Sequence, residues 1–176
     1  MSLLRPKHSI FRLSLLLLSV ILISSCNGEI GDFTVTPPKD WIVRDSTSPA
    51  TGRQLILYPP VQSATPIFVE NVIIAVGQSR FFDAYILAFS NSLKSRAQYF
   101  EQKETGHSKI NNYDARWENY LIKFKQSDLL EQKVYFIKEG GNIYQIIYTT
   151  KPNQQKKFQK EVDQILASFN IMHYSK

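Results

Sequence analysis

Cysteine and histidine are scarce in this chain of 176 residues. It has one cysteine, Cys26, and three histidines. A single cysteine makes an internal disulfide impossible, so stability has to come from a packed core. A metal needs three or four ligands, and a catalytic histidine needs an orienting partner and a nucleophile; no spacing of the cysteine and histidines in the sequence has either pattern. The chain also lacks a glycine-rich phosphate loop and a G-x-S-x-G turn, the local geometries that nucleotide binding and serine hydrolysis use. No Lys/Arg cluster alternates with aromatics, which argues against nucleic acid as a partner. The longest apolar run, Leu13 to Ile23, is eleven residues. A permanent membrane-spanning helix needs about 20. No repeat or low-complexity segment is present. No cofactor, metal site or catalytic set is expected.

What the chain does have begins at its N-terminus. Arg5, Lys7 and Arg12 precede the apolar run, and Ile23-Ser24-Ser25-Cys26 follows it. A basic start, a short apolar core and small residues make a secretory signal peptide. The sequence Ile23-Ser24-Ser25-Cys26 resembles the lipobox of bacterial lipoproteins. That resemblance implies a diacylglycerol thioether on Cys26, cleavage before it, and acylation of the new amine. The thiol is the one good nucleophile nearby. An unpaired thiol is a liability in an oxidising compartment, and a lipid attachment removes it. One acyl chain binds a membrane marginally, while two or more anchor stably. In Gram-negative lipoproteins an Asp after the cysteine favours inner-membrane retention. Asn27 stands there, so the resemblance implies the outer membrane, facing the periplasm.

Removing residues 1–25 leaves residues 26–176, a length suited to one domain. The whole chain carries 21 Lys and Arg against 15 Asp and Glu, a net charge of +6. Three of those cations lie in the signal, so the mature chain is +3. The expected organisation is a signal peptide over 1–25, a lipidated tether over 26–31, and one α/β domain over 32–176.

Within that domain, Phe33–Thr36 and Trp41–Arg44 read as short strands divided by Pro37-Pro38-Lys39-Asp40 turn chemistry. Residues 46–54 read as a loop. QLILY and VENVIIAVGQ read as strands. Over 79–100 the period changes: Phe82, Ile86, Phe89, Leu93, Ala97 and Phe100 share one helical face, with Asn91, Lys94, Ser95 and Gln98 opposite. Ser79 is the expected cap, and Asp83 suits the first turn. Four strands follow, the first expected to break near Gly106. The last two form a hairpin in which Gly140 and Gly141 supply positive φ. Tyr144, Ile146 and Tyr148 lie on one face, Ile143 and Ile147 on the other, so both faces should be covered. A closing helix starts near Pro152 and buries Phe158, Val162, Ile165, Leu166 and Phe169. The tail IMHYSK is left as a short strand or a frayed end.

This order of elements, opened by Pro38-x-x-Trp41 and closed by Ile165-Leu166-Ala167-Ser168-Phe169, resembles the PsbP-like family. That family includes bacterial envelope lipoproteins related to DcrB and LpqN. The resemblance covers roughly residues 32–170. It implies an α+β fold, an antiparallel sheet with helices on its faces, and a non-catalytic accessory or assembly role. It supplies no catalytic residues to carry over.

The remaining residues that bear chemistry have plainer readings. His107 in ETGHSK is an exposed histidine rather than a general base, and His173 belongs to the tail. Trp41 plugs a core edge rather than stacking a sugar. Trp117, flanked by Arg116 and Glu118, is the more exposed tryptophan. Ser90, Ser92 and Ser95 sit on a helix, not on a nucleophile elbow. Asp83 with Glu104 or Glu118 is the one carboxylate pairing a glycosidase would use. Lys156, Lys157 and Lys160 form a solvated helix face. The leading functional reading is a lipid-anchored interaction or assembly component of an envelope complex, with envelope proteins as partners. A small-molecule or glycan binding module with a pocket between the helix over 79–100 and the sheet is the alternative. A hydrolase comes third.

Overall fold

A computed structural model describes residues 31–48, 52–60, 70–125 and 127–173. The expected signal peptide over 1–25, Cys26 and Asn27 lie outside the described residues. The elements run β1 (Asp32–Thr34), β2 (Ile42–Ser48), β3 (Gly52–Tyr58), β4 (Asn71–Gln78), α1 (Phe82–Arg96), β5 (Ala97–Ile110), β6 (Tyr113–Phe124), β7 (Leu129–Glu139), β8 (Asn142–Thr150), α2 (Gln159–Ser168) and β9 (Asn170–Met172). Seven strands form one antiparallel sheet in the order β2-β3-β4-β8-β7-β6-β5. β1 and β9 pair separately, Phe33 opposite Ile171. The tail therefore does form a strand, and it ties the end of the domain to its start.

Alternation along the central strands loads both faces of the sheet. Val72, Ile74, Tyr144, Ile146 and Tyr148 share a core with Phe158, Val162, Ile165 and Phe169 of the C-terminal helical segment. Phe169 is its hub: its ring lies 6.0 Å from Phe33, 6.0 Å from Tyr113 and 5.9 Å from Tyr144. Ile73, Ile143 and Ile147 face the other way, into a second core with Ile86, Phe89 and Leu93 of α1. Phe89 meets Phe136 edge-on at 5.3 Å and Tyr120 at 6.4 Å. The result is an α+β sandwich with one helix on each sheet face, as the double-sided pattern of β8 predicts.

Several boundaries differ from the sequence reading. The helix expected over 79–100 ends at Arg96, because Ala97 is extended (φ −83°, ψ 143°). Ala97 and Phe100 keep a helical spacing for another reason. The register slips between Ala97 and Tyr99, so Phe100 pairs with Ile122 from a strand and stacks near Tyr120 at 5.5 Å. Ser79 is not the cap. The flanking residue is Phe81, and Ser79 Oγ instead accepts a hydrogen bond from the Phe81 N–H. The stretch read as a loop over 46–54 contributes the end of β2 and the start of β3. The closing helix cannot start at Pro152, since Asn153 sits at φ +63°. A 3-10 turn over Gln155–Phe158 precedes α2. In the β7–β8 turn only Gly140 has positive φ, the signature of a type II′ turn rather than type I′. β5 does not break at Gly106. A Cβ there would meet the Trp117 ring at 2.6 Å, so glycine lets the indole lie across an unbroken strand.

Candidate functional site

The densest polar arrangement lies under the N-terminal end of α1, against β5 and β6. Arg116 on β6 is its junction. Its Nη2 donates to Glu118 Oε1 at 2.7 Å and its Nη1 to Asp83 Oδ1 at 3.2 Å. Asp83 arrives in the first turn of α1, 33 residues away in sequence. The two carboxylates differ sharply in setting: the Glu118 side chain is 2% exposed and that of Asp83 is 90% exposed. Glu118 also accepts from Gln102 Nε2 at 3.1 Å and from the Tyr120 hydroxyl. Burial, followed by the hydrogen bond to Glu118, holds the Tyr120 hydroxyl pKa well above the ordinary tyrosine value. Beside Arg116 lies a cavity of about 180 Å³ lined by Phe82, His107, Ser108, Asp114 and Ala115.

The structure thus unites Asp83 with Glu118, but not as a hydrolytic pair. A glycosidase keeps open space between its two carboxyl groups for the scissile bond. Here a guanidinium fills that space. Glu104 stays apart, because it pairs with Asn119 and so shares the face opposite Glu118. Three donors hold Glu118, which makes it the anchor of Arg116.

The other predicted residues fall as follows. His107 is exposed on β5, opposite Arg116 in register, and borders the cavity. His173 is exposed just after β9. Trp41 is buried and meets Phe158 edge-on at 5.9 Å, a core plug as expected. Trp117 is half-buried, with Lys133 Nζ 4.3 Å from its ring centre. Ser90 hydrogen-bonds Tyr120, and Ser95 Oγ donates to the Ser92 carbonyl. Lys156 and Lys160 are solvated, while Lys157 reaches Glu70 at 3.4 Å. Among the described residues no group of three His, Cys, Asp or Glu side chains is placed to hold a metal ion.

The sequence reading missed a surface as well as Arg116. Phe81 is 73% exposed and Leu87 is 62% exposed. With Ala84 and Ala88, also exposed, they form a stripe on the side of α1 away from Ile86, Phe89 and Leu93. The helix is apolar on two sides. The signal was present in FFDAYILAF, which holds more apolar residues than one buried face can use.

No family model and no curated protein matches this chain. Solved structures do. Cyanobacterial PsbP (CyanoP) from Synechocystis superposes with a TM-score of 0.53 at 11% identity, over 85% of this chain and 99% of that one. PA94, a Pseudomonas aeruginosa protein of unknown function, gives 0.56 at 14% identity over 82% and 100%. LpqN, involved in cell envelope biogenesis of Mycobacterium tuberculosis, gives 0.55 at 16% identity over 81% and 84%. The class that these matches and the two-core sandwich define is an antiparallel α+β fold with helices on both faces. More particularly, the domain has the PsbP-like fold.

Proposed function

We propose that this chain is a lipid-anchored, non-catalytic component of an envelope complex, docking a partner protein through the outer stripe of α1. In this reading residues 1–25 are removed and Cys26 is acylated. Residues 26–31 tether the domain over 32–176 to the membrane, and Asn27 directs it to the outer membrane. The observation that carries the reading is the solvent exposure of Leu87 on α1 and of Phe81 just before it, on a helix whose other side already fills a core. Large exposed apolar side chains grouped on one element mark interaction surfaces. The envelope role of LpqN, the PsbP-like fold and the lipobox resemblance all support the same assignment. The ligand-binding alternative is weaker. The cavity beside Arg116 is about 180 Å³, below the roughly 300–1,000 Å³ of ordinary ligand sites.

The test uses the full chain expressed in its own envelope. Phe81→Ser with Leu87→Ser is expected to leave acylation and folding intact and to abolish co-purification of a stoichiometric envelope protein. Cys26→Ala is expected to abolish fatty-acid labelling and membrane retention. Full partner recovery with the α1 double variant would overturn the docking assignment. Equal labelling of Cys26→Ala and the parent would overturn the anchor.

A further inference from the structure

The seven-stranded sheet has two edges, and they are built differently. β5 is irregular: its register with β6 slips between Ala97 and Tyr99 and again between Gln102 and Glu104. It also carries Glu101, Lys103, Glu104 and Lys109 along its length. Bulges and charges are the devices that keep edge strands from recruiting other strands. β2, at the opposite edge, carries charges of its own, Arg44 and Asp45, but has no bulge and no proline. It pairs with β3 without a slip from Ile42↔Tyr58 to Ser48↔Gly52. Residues 42–47 are all exposed, Ile42 and Val43 among them. The outward N–H and C=O groups of β2 have no strand partner among the described residues.

We infer that β2 is an open edge for strand addition, and that its occupant is an extended segment of a partner protein carrying an acidic side chain between apolar ones. The charge pattern of the edge supports this choice. Asp45 is already neutralised: Arg53 grips it through Nη2 at 2.6 Å and Nε at 3.1 Å. Arg44 has only the Tyr58 ring, 5.4 Å from its guanidinium carbon, and no carboxylate within ion-pair distance among the described residues. Among the described residues the edge therefore presents one uncompensated cation, next to the exposed Val43. A strand laid antiparallel to β2 would set an acidic residue opposite Arg44 and the apolar residue next to it opposite the exposed Val43.

A second copy of this chain fits poorly. Two β2 strands related by a two-fold axis pair residues of like face. The register that uses all of β2 centres on Asp45, which its own Arg53 already holds, and sets Arg44 opposite Ser46 with no carboxylate, while the one centred on Arg44 opposes two guanidinium groups. Like charges directly opposite are destabilising. Centring on Ser46 leaves Ile42 and Val43 outside the pairing.

This surface is separate from α1, so the docking proposal above and this one fail independently. The test is hydrogen exchange read by mass spectrometry on the full chain in detergent micelles, with the end-blocked peptides TVEVTV and TVKVTV as probes. Saturating TVEVTV is expected to slow exchange over 42–48 by about tenfold or more, as strand pairing does, and to leave 97–110 unchanged. The parent chain is expected to prefer TVEVTV over TVKVTV by about tenfold, and Arg44→Glu to invert that preference. Unchanged exchange over 42–48 at millimolar peptide, protection of β5 instead, or equal response to both peptides would overturn the inference. So would protection, in the free chain, of the β2 amides that point away from β3, which at dimer mass means a second copy and at monomer mass means cover by the chain itself.

Discussion

The Arg116 junction makes a sharp stability prediction, because one guanidinium serves two carboxylates of opposite setting. The Asp83 side chain is 90% exposed. Exposed ion pairs contribute about 0–1 kcal/mol, so Asp83→Ala is expected to cost less than about 0.5 kcal/mol, near the low end. Glu118 is 2% exposed at its side chain, and Arg116 is its one cationic partner among the described residues. Arg116→Met therefore leaves a buried carboxylate with Tyr120 and Gln102 alone, a change that costs about 3–5 kcal/mol in comparable buried pairs. For a domain with a total stability of roughly 5–15 kcal/mol that is a large share. Adding Glu118→Gln to Arg116→Met removes the uncompensated charge while keeping an acceptor for Tyr120. The double variant is expected to recover at least about 2 kcal/mol, a coupling that a double-mutant cycle measures directly. Urea unfolding followed by circular dichroism of Arg116→Met, Glu118→Gln and the double variant supplies the three values; a loss of about 3–5 kcal/mol moves the midpoint by roughly 1–5 M at urea m-values of about 1–3 kcal/mol per M. If Arg116→Met costs no more than Asp83→Ala, Glu118 does not depend on the guanidinium and the junction is ornamental.

Two further outcomes follow from the cores and the tyrosines. Phe89→Ala and Phe169→Ala each delete a buried ring with several aromatic neighbours and are expected to cost about 3–5 kcal/mol by thermal or urea unfolding; losses under about 1 kcal/mol at both would reject the two-core description. Burial raises Tyr85, Tyr135, Tyr144 and Tyr148 to about 12 each, and raises Tyr120 as well. A raised folded-state pKa means that the stabilisation is complete below the unfolded value near 10 and is lost as pH climbs from about 10 toward 12. The tyrosinate absorbance of these five residues is therefore expected to rise together with loss of circular dichroism, and ionisation of all nine tyrosines near pH 10 in a chain with intact dichroism would contradict it.

The sheet was legible where one strand carried two faces. Tyr144, Ile146 and Tyr148 against Ile143 and Ile147 required cover on both sides, and the chain offered two helical segments to supply it. Helix boundaries were less legible, for physical reasons that differ between sites. At Ala97 and Phe100 a bulge in an edge strand restored, by skipping one residue, the three-residue spacing that a helix would show. At Pro152 the turn chemistry looked like a helix start, but Asn153 in the left-handed region spends one more turn before α2 begins. At Gly106 a residue that usually interrupts a strand instead clears space for Trp117. At Ala97 and Phe100, as at Gly106, a residue far along the chain overrode a correct local preference, and at Pro152 the conformation of the next residue did.

The polar junction was illegible in a stronger sense. Asp83 and Glu118 were both visible as carboxylates, and their meeting depends on Arg116, whose reach is fixed by the β5–β6 register and by where α1 begins. Neither quantity is encoded locally. Alternation along β6 places Arg116, Glu118 and Tyr120 on one face, so half of the cluster can be read from spacing alone. The other half arrives from Gln102 across the strand pair and from Asp83 across the layer. The docking stripe is the converse case. Phe81, Ala84, Leu87 and Ala88 are all local to one helix, and the excess of apolar residues over what one buried face accepts was countable in the sequence. It went unread because one good stripe, Ile86–Phe89–Leu93, satisfied the helical period and left the second stripe to look like redundancy. A surface helix that remains apolar after its core side is assigned has residues left to explain, and on this chain Phe81 and Leu87 are those residues.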